Sequence, residues 1–123
     1  VTSIAPWLSV KNATEALAYY RAAFGAIVRE RLDDDAGDVV VARLAIGEAD
    51  FWIQTDPDSS PDVLEGRSVR MILSVDDPDS AFARAIAAGA IEVAPISEGH
   101  GWRIGRMADP FGHHWEIGRR LVK

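Results

Sequence analysis

The sequence predicts an α+β chain of two βαβββ modules, each a curved mixed sheet with a helix on one face. The opposite face of each sheet is free to curl round a cavity. Three observations carry this. A tripeptide recurs as Leu8-Ser9-Val10 and Leu73-Ser74-Val75, each time just ahead of a helical pattern. The two helical patterns close alike, as Ala22-Ala23-Phe24-Gly25-Ala26-Ile27 and Ala87-Ala88-Gly89-Ala90-Ile91; with Phe24 as one inserted residue, Ala16 and Ala18 match Ala81 and Ala83. The same element types then follow in the same order, which is how a structural repeat shows itself in a sequence.

The first module occupies about residues 1–56 and opens on a strand over Ile4 to Val10. Asn12, with Glu15 three residues on, forms a capping box that satisfies free amide donors at a helix start. Ala16, Leu17, Tyr20 and Phe24 give that helix its apolar stripe, and Gly25 supplies the left-handed residue that ends it. Strands follow over Ile27 to Leu32, Val39 to Ile46 and Phe51 to Thr55, turned by the Asp33-to-Asp38 stretch and by Gly47-Glu48. A polar connector over 57–66 contains Pro57, Pro61 and two adjacent serines.

The second module, about 67–123, repeats the pattern. A strand over Ser68 to Val75 leads to a helix capped by Asp77, with Pro78 at its first position and Phe82, Ala85 and Ile86 as its stripe before Gly89. Strands over Ile91 to Ile96, Trp102 to Ala108 and His114 to Gly118 complete it, the last two joined by the turn Asp109-Pro110-Phe111-Gly112. Half of 123 residues is too few for a sheet of this size to stand alone, so the halves are expected to share a core or pair with another chain.

Composition narrows the function. At 48% hydrophobic and 26% charged residues the chain has an ordinary globular make-up. A formal charge of −6 repels polyanions, so nucleic acid is not an expected partner. With no Cys, disulfides, thiolate nucleophiles and Cys-ligated metals are excluded. No apolar run approaches the ~20 residues of a membrane span. Val1 to Val10 lacks the basic and apolar regions of a signal peptide, and a cytoplasmic protein is expected.

The runs Ala5-Pro6-Trp7-Leu8-Ser9-Val10, Ala16-Leu17-Ala18-Tyr19-Tyr20, Phe24-Gly25-Ala26 and Asp109 to Ile117 resemble the vicinal oxygen chelate superfamily. That superfamily includes glyoxalase I, bleomycin resistance proteins and extradiol dioxygenases. The chain is most similar to its short glyoxalase/bleomycin-resistance branch, including proteins similar to PhnB, and the resemblance spans essentially the whole sequence. It implies a single domain over 1–123 of paired modules whose concave faces enclose a small-molecule site, commonly in a homodimer. It does not supply an activity, because members range from metalloenzymes to drug-sequestering proteins.

Metal-dependent members place ligands on the first and last strands of each module. The matching positions here hold Ala5, which has no donor, and Arg70, a cation. The carboxylate position of the fourth strand maps to Trp52, and only Glu116 keeps a metal-binding side chain. A divalent ion would need rescue by His114, Gln54 or Asp50, so no metal and no cofactor are expected.

Strand alternation places the cavity side chains. Leu8, Val10, Phe51, Ile53 and Trp115 fall on the helix side as core. Trp7, Ser9, Asp50, Trp52, Gln54, Arg70, Ser74, His114 and Glu116 fall on the other. The expected ligand-binding set is Trp7, Ser9, Trp52, Gln54, Arg70, Trp102, His114 and Glu116, with Glu98 to Gly101 as a lid beside Trp102. Trp7 and Trp52 serve equally as barrel plugs or interface residues; Glu116 can pair with His114 or with Arg70. His113 belongs to the turn, His100 to a solvated loop, Asp33 to Asp35 to a solvated hairpin, and Arg119, Arg120 and Lys123 to a solvated tail. The leading expectation is metal-independent binding of an aromatic or amphipathic molecule, such as an antibiotic or secondary metabolite. The alternative is a lyase, isomerase or dioxygenase with a metal rebuilt around Glu116 and His114, or a metal-free variant in which Glu116 acts as general base and Arg70 stabilises an enolate-like anion.

Overall fold

The computed structural model describes residues 2–60 and 69–121. Residues 61–66 of the expected connector, Ser68 at the start of the fifth expected strand and Lys123 of the tail lie outside them. The chain divides into two compact units, one up to Ser60 and one after it.

In the first unit, strand β1 (Trp7–Val10) leads to helix α1 (Ala13–Phe24), then β2 (Ile27–Asp33), β3 (Val39–Ile46) and β4 (Ala49–Thr55). The sheet order is β1-β4-β3-β2, with β1 parallel to β4 and the remaining pairs antiparallel. The second unit repeats this connectivity: β5 (Arg70–Ser74), helix α2 (Pro78–Ala88), β6 (Ile91–Gly99), β7 (Trp102–Ala108) and β8 (His114–Arg120). Its order is β5-β8-β7-β6, with β5 parallel to β8. The first strand starts three residues later than expected, since Ile4 is 96% exposed and has no place in the sheet. Strand β6 runs on to Gly99, past the expected end at Ile96.

Local chemistry explains both helices. The Asn12 side chain accepts from the Glu15 amide at 3.2 Å, and Asp77 accepts from the Ser80 amide at 3.2 Å. Gly25 then takes φ 67°, a left-handed turn that a side chain would strain. Two hydroxyls join α1 to its sheet. Thr14 accepts from the Val39 amide at 2.9 Å, while Thr55 accepts from the Ala13 amide and donates to the Val39 carbonyl, both at 2.8 Å.

Each helix covers one face of its own sheet. Val10, Leu44 and Ile53 are fully buried with Tyr20, whose ring meets Phe51 edge-on at 5.3 Å. In the second unit Phe82, Met107, Trp115 and Ile117 form the equivalent core. Gly105 lies directly beneath α2: a Cβ there would sit 2.9 Å from the Phe82 ring and 3.0 Å from the Ile96 backbone nitrogen.

Asp109 holds the β7–β8 turn. One carboxylate oxygen accepts from the amides of Phe111 and His113 at 2.9 and 3.0 Å, and the other accepts from the Trp115 indole at 2.9 Å. Asp109 is 3% exposed, and its bond to the Trp115 indole is buried. Leaving such a donor unsatisfied costs ~1–3 kcal/mol. Asp109→Ala is expected to lower the unfolding free energy by about 3 kcal/mol in urea titration, a large share of the ~5–15 kcal/mol typical of a domain. Asp35→Ala in the exposed hairpin should change it by less than about 0.5 kcal/mol.

Candidate functional site

With one helix packed on each sheet among the described residues, the second face of each sheet carries the unspent side chains. In the first unit Trp7 lies opposite Trp52 in the parallel β1–β4 register, and Ser9 lies opposite Gln54. The two indoles stack, with centroids 5.8 Å apart and planes 23° from parallel. Trp7 donates from Nε1 to Gln54 Oε1 at 3.0 Å, which fixes its orientation although it is 52% exposed. Ser9 lends its carbonyl to the Ser59 hydroxyl at 3.2 Å.

Arg43 on β3 lies beside Trp52 and was not among the expected site residues. Its guanidinium is 5.8 Å from the Trp52 ring centroid, a cation–π contact. It donates through Nη2 and Nε to Glu30 at 2.7 and 3.1 Å, and through Nη1 to Asp50 at 2.8 Å. Hydrogen bonding to Glu30, then to Asp50, raises its pKa further above the ordinary arginine value. Beside it runs a groove of about 280 Å³ lined by Glu30, Arg31, Leu32, Val41 and Trp52. Alternation could have singled out Arg43, since it is two residues from Val41 on β3. Its partners come from β2 and β4, and only the register reveals them.

In the second unit the open face holds Arg70, His114, Glu116 and Arg106, in neighbouring positions of β5, β8 and β7. Two diagonal pairs form. Arg70 Nε lies 3.1 Å from Glu116 Oε2, and Arg106 Nε donates to His114 Nδ1 at 3.0 Å. Of the two partners open to Glu116, the structure therefore chooses Arg70. His114 goes instead to Arg106, a residue absent from the expected set. Trp102 sits at the far end of the same face, with the Arg120 guanidinium 5.8 Å from its ring.

The lid expected at Glu98 to Gly101 is not a loop. Glu98 and Gly99 pair with Arg103 and Trp102 in the β6–β7 ladder, leaving His100 and Gly101 as a two-residue turn with φ 53° and 84°. Two successive residues at positive φ match the twist of the flanking strands, so the segment is a tight hairpin. Arg103 holds it from the helix side through Asp79 at 2.6 Å and Glu98 at 3.4 Å.

The residues at the metal-ligand positions of the resemblance do not suit a divalent cation. Ala5 precedes β1 and has no donor, Trp52 is engaged with Trp7 and Arg43, and Glu116 already faces a guanidinium. The Nδ1 of His114 is occupied by a second guanidinium, and two fixed positive charges oppose a third. Among the described residues no group of three or more His, Asp or Glu side chains is placed to hold a metal ion.

Comparison with known proteins places these observations in a family. The sequence profile of the glyoxalase-like domain matches residues 7–118. An uncharacterized protein of Mycobacterium tuberculosis, Rv0887c, is 34% identical over 125 residues, covering 95% of this chain and 74% of that protein. The structure of the Arabidopsis thaliana gene product At5g48480 is 28% identical with a TM-score of 0.74, covering 97% of this chain and 99% of that one. TioX from Micromonospora sp. ML1 superposes with a TM-score of 0.78 at 24% identity, over 98% and 100% of the two chains.

The pairing of His114 makes a measurable claim. Burial, then the Arg106 charge, lowers its pKa below the ordinary histidine value. The unfolded chain thus takes up the proton first as pH falls. The contribution of neutral His114 to stability is full above the unfolded value of ~6.5 and is lost as pH falls through the lower folded value. An NMR titration of the imidazole should give a midpoint below 6.5. Arg106→Gln should raise that midpoint only part of the way, because burial is the larger cause.

Proposed function

The chain belongs to the glyoxalase-like domain family, within the glyoxalase/bleomycin resistance/dioxygenase superfamily, and from that membership we propose that it binds a small aromatic or amphipathic molecule without a metal ion. The observation that carries this reading is the Trp7–Trp52 stack on the open face of the first sheet, held by Gln54 and Arg43. A half-exposed indole already fixed by hydrogen bonding loses little freedom when a flat ligand stacks on it. The groove beside Trp52 adds the apolar walls of Leu32 and Val41 and the acidic rim of Glu30. Covering ~100 Å² of this apolar surface contributes about 2.5 kcal/mol, more than tenfold in affinity.

An antibiotic or secondary metabolite is the ligand class we favour. A fosfomycin resistance protein of Listeria monocytogenes shares the fold with a TM-score of 0.76, at 16% identity. That protein was solved with manganese(II) and a dihydroxypropylphosphonic acid. This chain departs from such chemistry at Trp52 and Arg70, an aromatic and a cationic side chain in place of metal ligands. A homodimer belongs to the same proposal: the edge strands β2 and β6 leave Ile27, Ile91 and Val93 exposed, apolar surface that a second copy would cover.

The enzymatic alternative asks Glu116 to abstract a proton while Arg70 stabilises the resulting anion. Here the two groups are each other's partners at 3.1 Å, and such a reaction would have to separate them first. Tryptophan fluorescence titrated with planar aromatic antibiotics tests the proposal. Saturable quenching that survives a chelator and weakens at least tenfold in Trp52→Ala is the expected result. Quenching abolished by chelator, or turnover of a thioester or diol lost in Glu116→Gln, would overturn it in favour of the enzyme.

A further inference from the structure

The open face of the second sheet has a chemistry of its own. In a chain with a formal charge of −6, this face gathers Arg70, Arg106 and Arg120 against, among the described residues, the one carboxylate of Glu116. His114 adds no charge when neutral. With Nδ1 accepting from Arg106, its hydrogen sits on Nε2, so the imidazole is a donor toward the space in front of it.

Each guanidinium is spent along one edge only. Arg106 gives Nε to His114, and its Nη groups have no other partner among the described residues. Arg70 Nε lies 3.1 Å from Glu116 Oε2 in an ion pair, and its Nη groups are likewise uncommitted among the described residues. A guanidinium with Nε engaged still presents two parallel N–H groups from its Nη pair, the fork that matches a carboxylate. The quartet therefore offers donors from three residues. Its one acceptor, Glu116, is already held by Arg70. An oxygen anion satisfies such a site, and a cation or a neutral apolar group does not.

Next to the quartet the face turns apolar. Ile72 lies opposite Glu116 on β5 and is 61% exposed, and Ile104 lies opposite Gly118 on β7. Gly118 keeps this stretch flat, since a Cβ there would come within 2.6 Å of the Ile104 side chain and 2.8 Å of the Arg103 carbonyl. Trp102 stands four residues from Arg106 on the same strand face, ~13 Å away at the rise of a strand.

We propose that Arg70, Arg106 and His114 form a carboxylate-binding site, with Ile72, Ile104 and Trp102 receiving the apolar body of the same organic acid. The site lies on the second sheet and stands apart from the reading of the Trp7–Trp52 face. Arg106 is its anchor, because its bond to His114 orients the free fork. Glu116 is the internal competitor, the carboxylate that a ligand must share with Arg70.

That competition yields a test in which a substitution improves binding. The intact chain is titrated with benzoate, with benzamide as its neutral isostere and with phenylphosphonate, following the Nε–H resonances of Arg70 and Arg106 by NMR. Benzoate is expected to shift both resonances saturably, more weakly as salt rises, while benzamide leaves them in place. Arg106→Gln should weaken benzoate at least tenfold. Glu116→Gln should tighten it three- to tenfold by removing the negative charge beside the Arg70 fork, a gain that a misfolded variant cannot produce. Equal shifts with benzoate and benzamide, unchanged affinity in Arg106→Gln, or weaker benzoate binding in Glu116→Gln would each overturn the proposal. Tighter binding of phenylphosphonate than of benzoate would overturn the choice of carboxylate. The resonances report on the arginines themselves, so failure of aromatic binding at Trp52 leaves this test intact.

Discussion

A β-strand sends alternate side chains to opposite faces, and among the described residues each unit of this protein has one helix packed on its four-stranded sheet. That constraint governs both units. The side chains under the helix form the core: Val10, Leu44, Phe51 and Ile53 in one unit, Met107, Trp115 and Ile117 in the other. Residues one step along the same strands emerge on the uncovered face, where apolar packing does not dictate their identity. Trp7, Trp52 and Arg43 lie there in the first sheet, and Arg70, Arg106, His114 and Glu116 in the second.

The uncovered faces are ordered by paired polar groups. Arg43 is held by two carboxylates and covers Trp52, while Trp7 is held by Gln54. Glu30 and Arg70 are each more than a third exposed in side chain, and solvent screens such pairs, so their contribution to stability is small. Their effect is on orientation. An indole or guanidinium already held in place forfeits less entropy when a ligand arrives, which is where fixed side chains gain affinity.

Strand β8 joins the core to the open face of the second sheet. Asp109 anchors the turn before it and holds the Trp115 indole beneath the sheet, so the residues on either side, His114 and Glu116, must point the other way. A buried carboxylate with three donors thereby positions two side chains that it does not touch. The same register sets Arg106 diagonal to His114 and Arg70 diagonal to Glu116, and geometry decides which cation each one meets.

Much of this was legible in the sequence. The caps at Asn12 and Asp77, the left-handed Gly25 and the Asp109 turn depend on residues within a few positions of one another. The burial of Phe51, Ile53 and Trp115 follows from alternation along one strand. The family, too, could be recognised from local runs. Partnership across strands could not. Arg43 finds Glu30 and Asp50, and Arg106 finds His114, only once β2, β3 and β4, or β7 and β8, lie in register. The segment read as a lid became a hairpin because β6 continues to Gly99 and pairs with Trp102. The sequence by itself determined the elements, their order and which side chains are core, because those depend on short-range periodicity and capping. Tertiary structure alone decided which charges pair and which donors stay free, because hydrogen bonds across a sheet are set by register between distant segments.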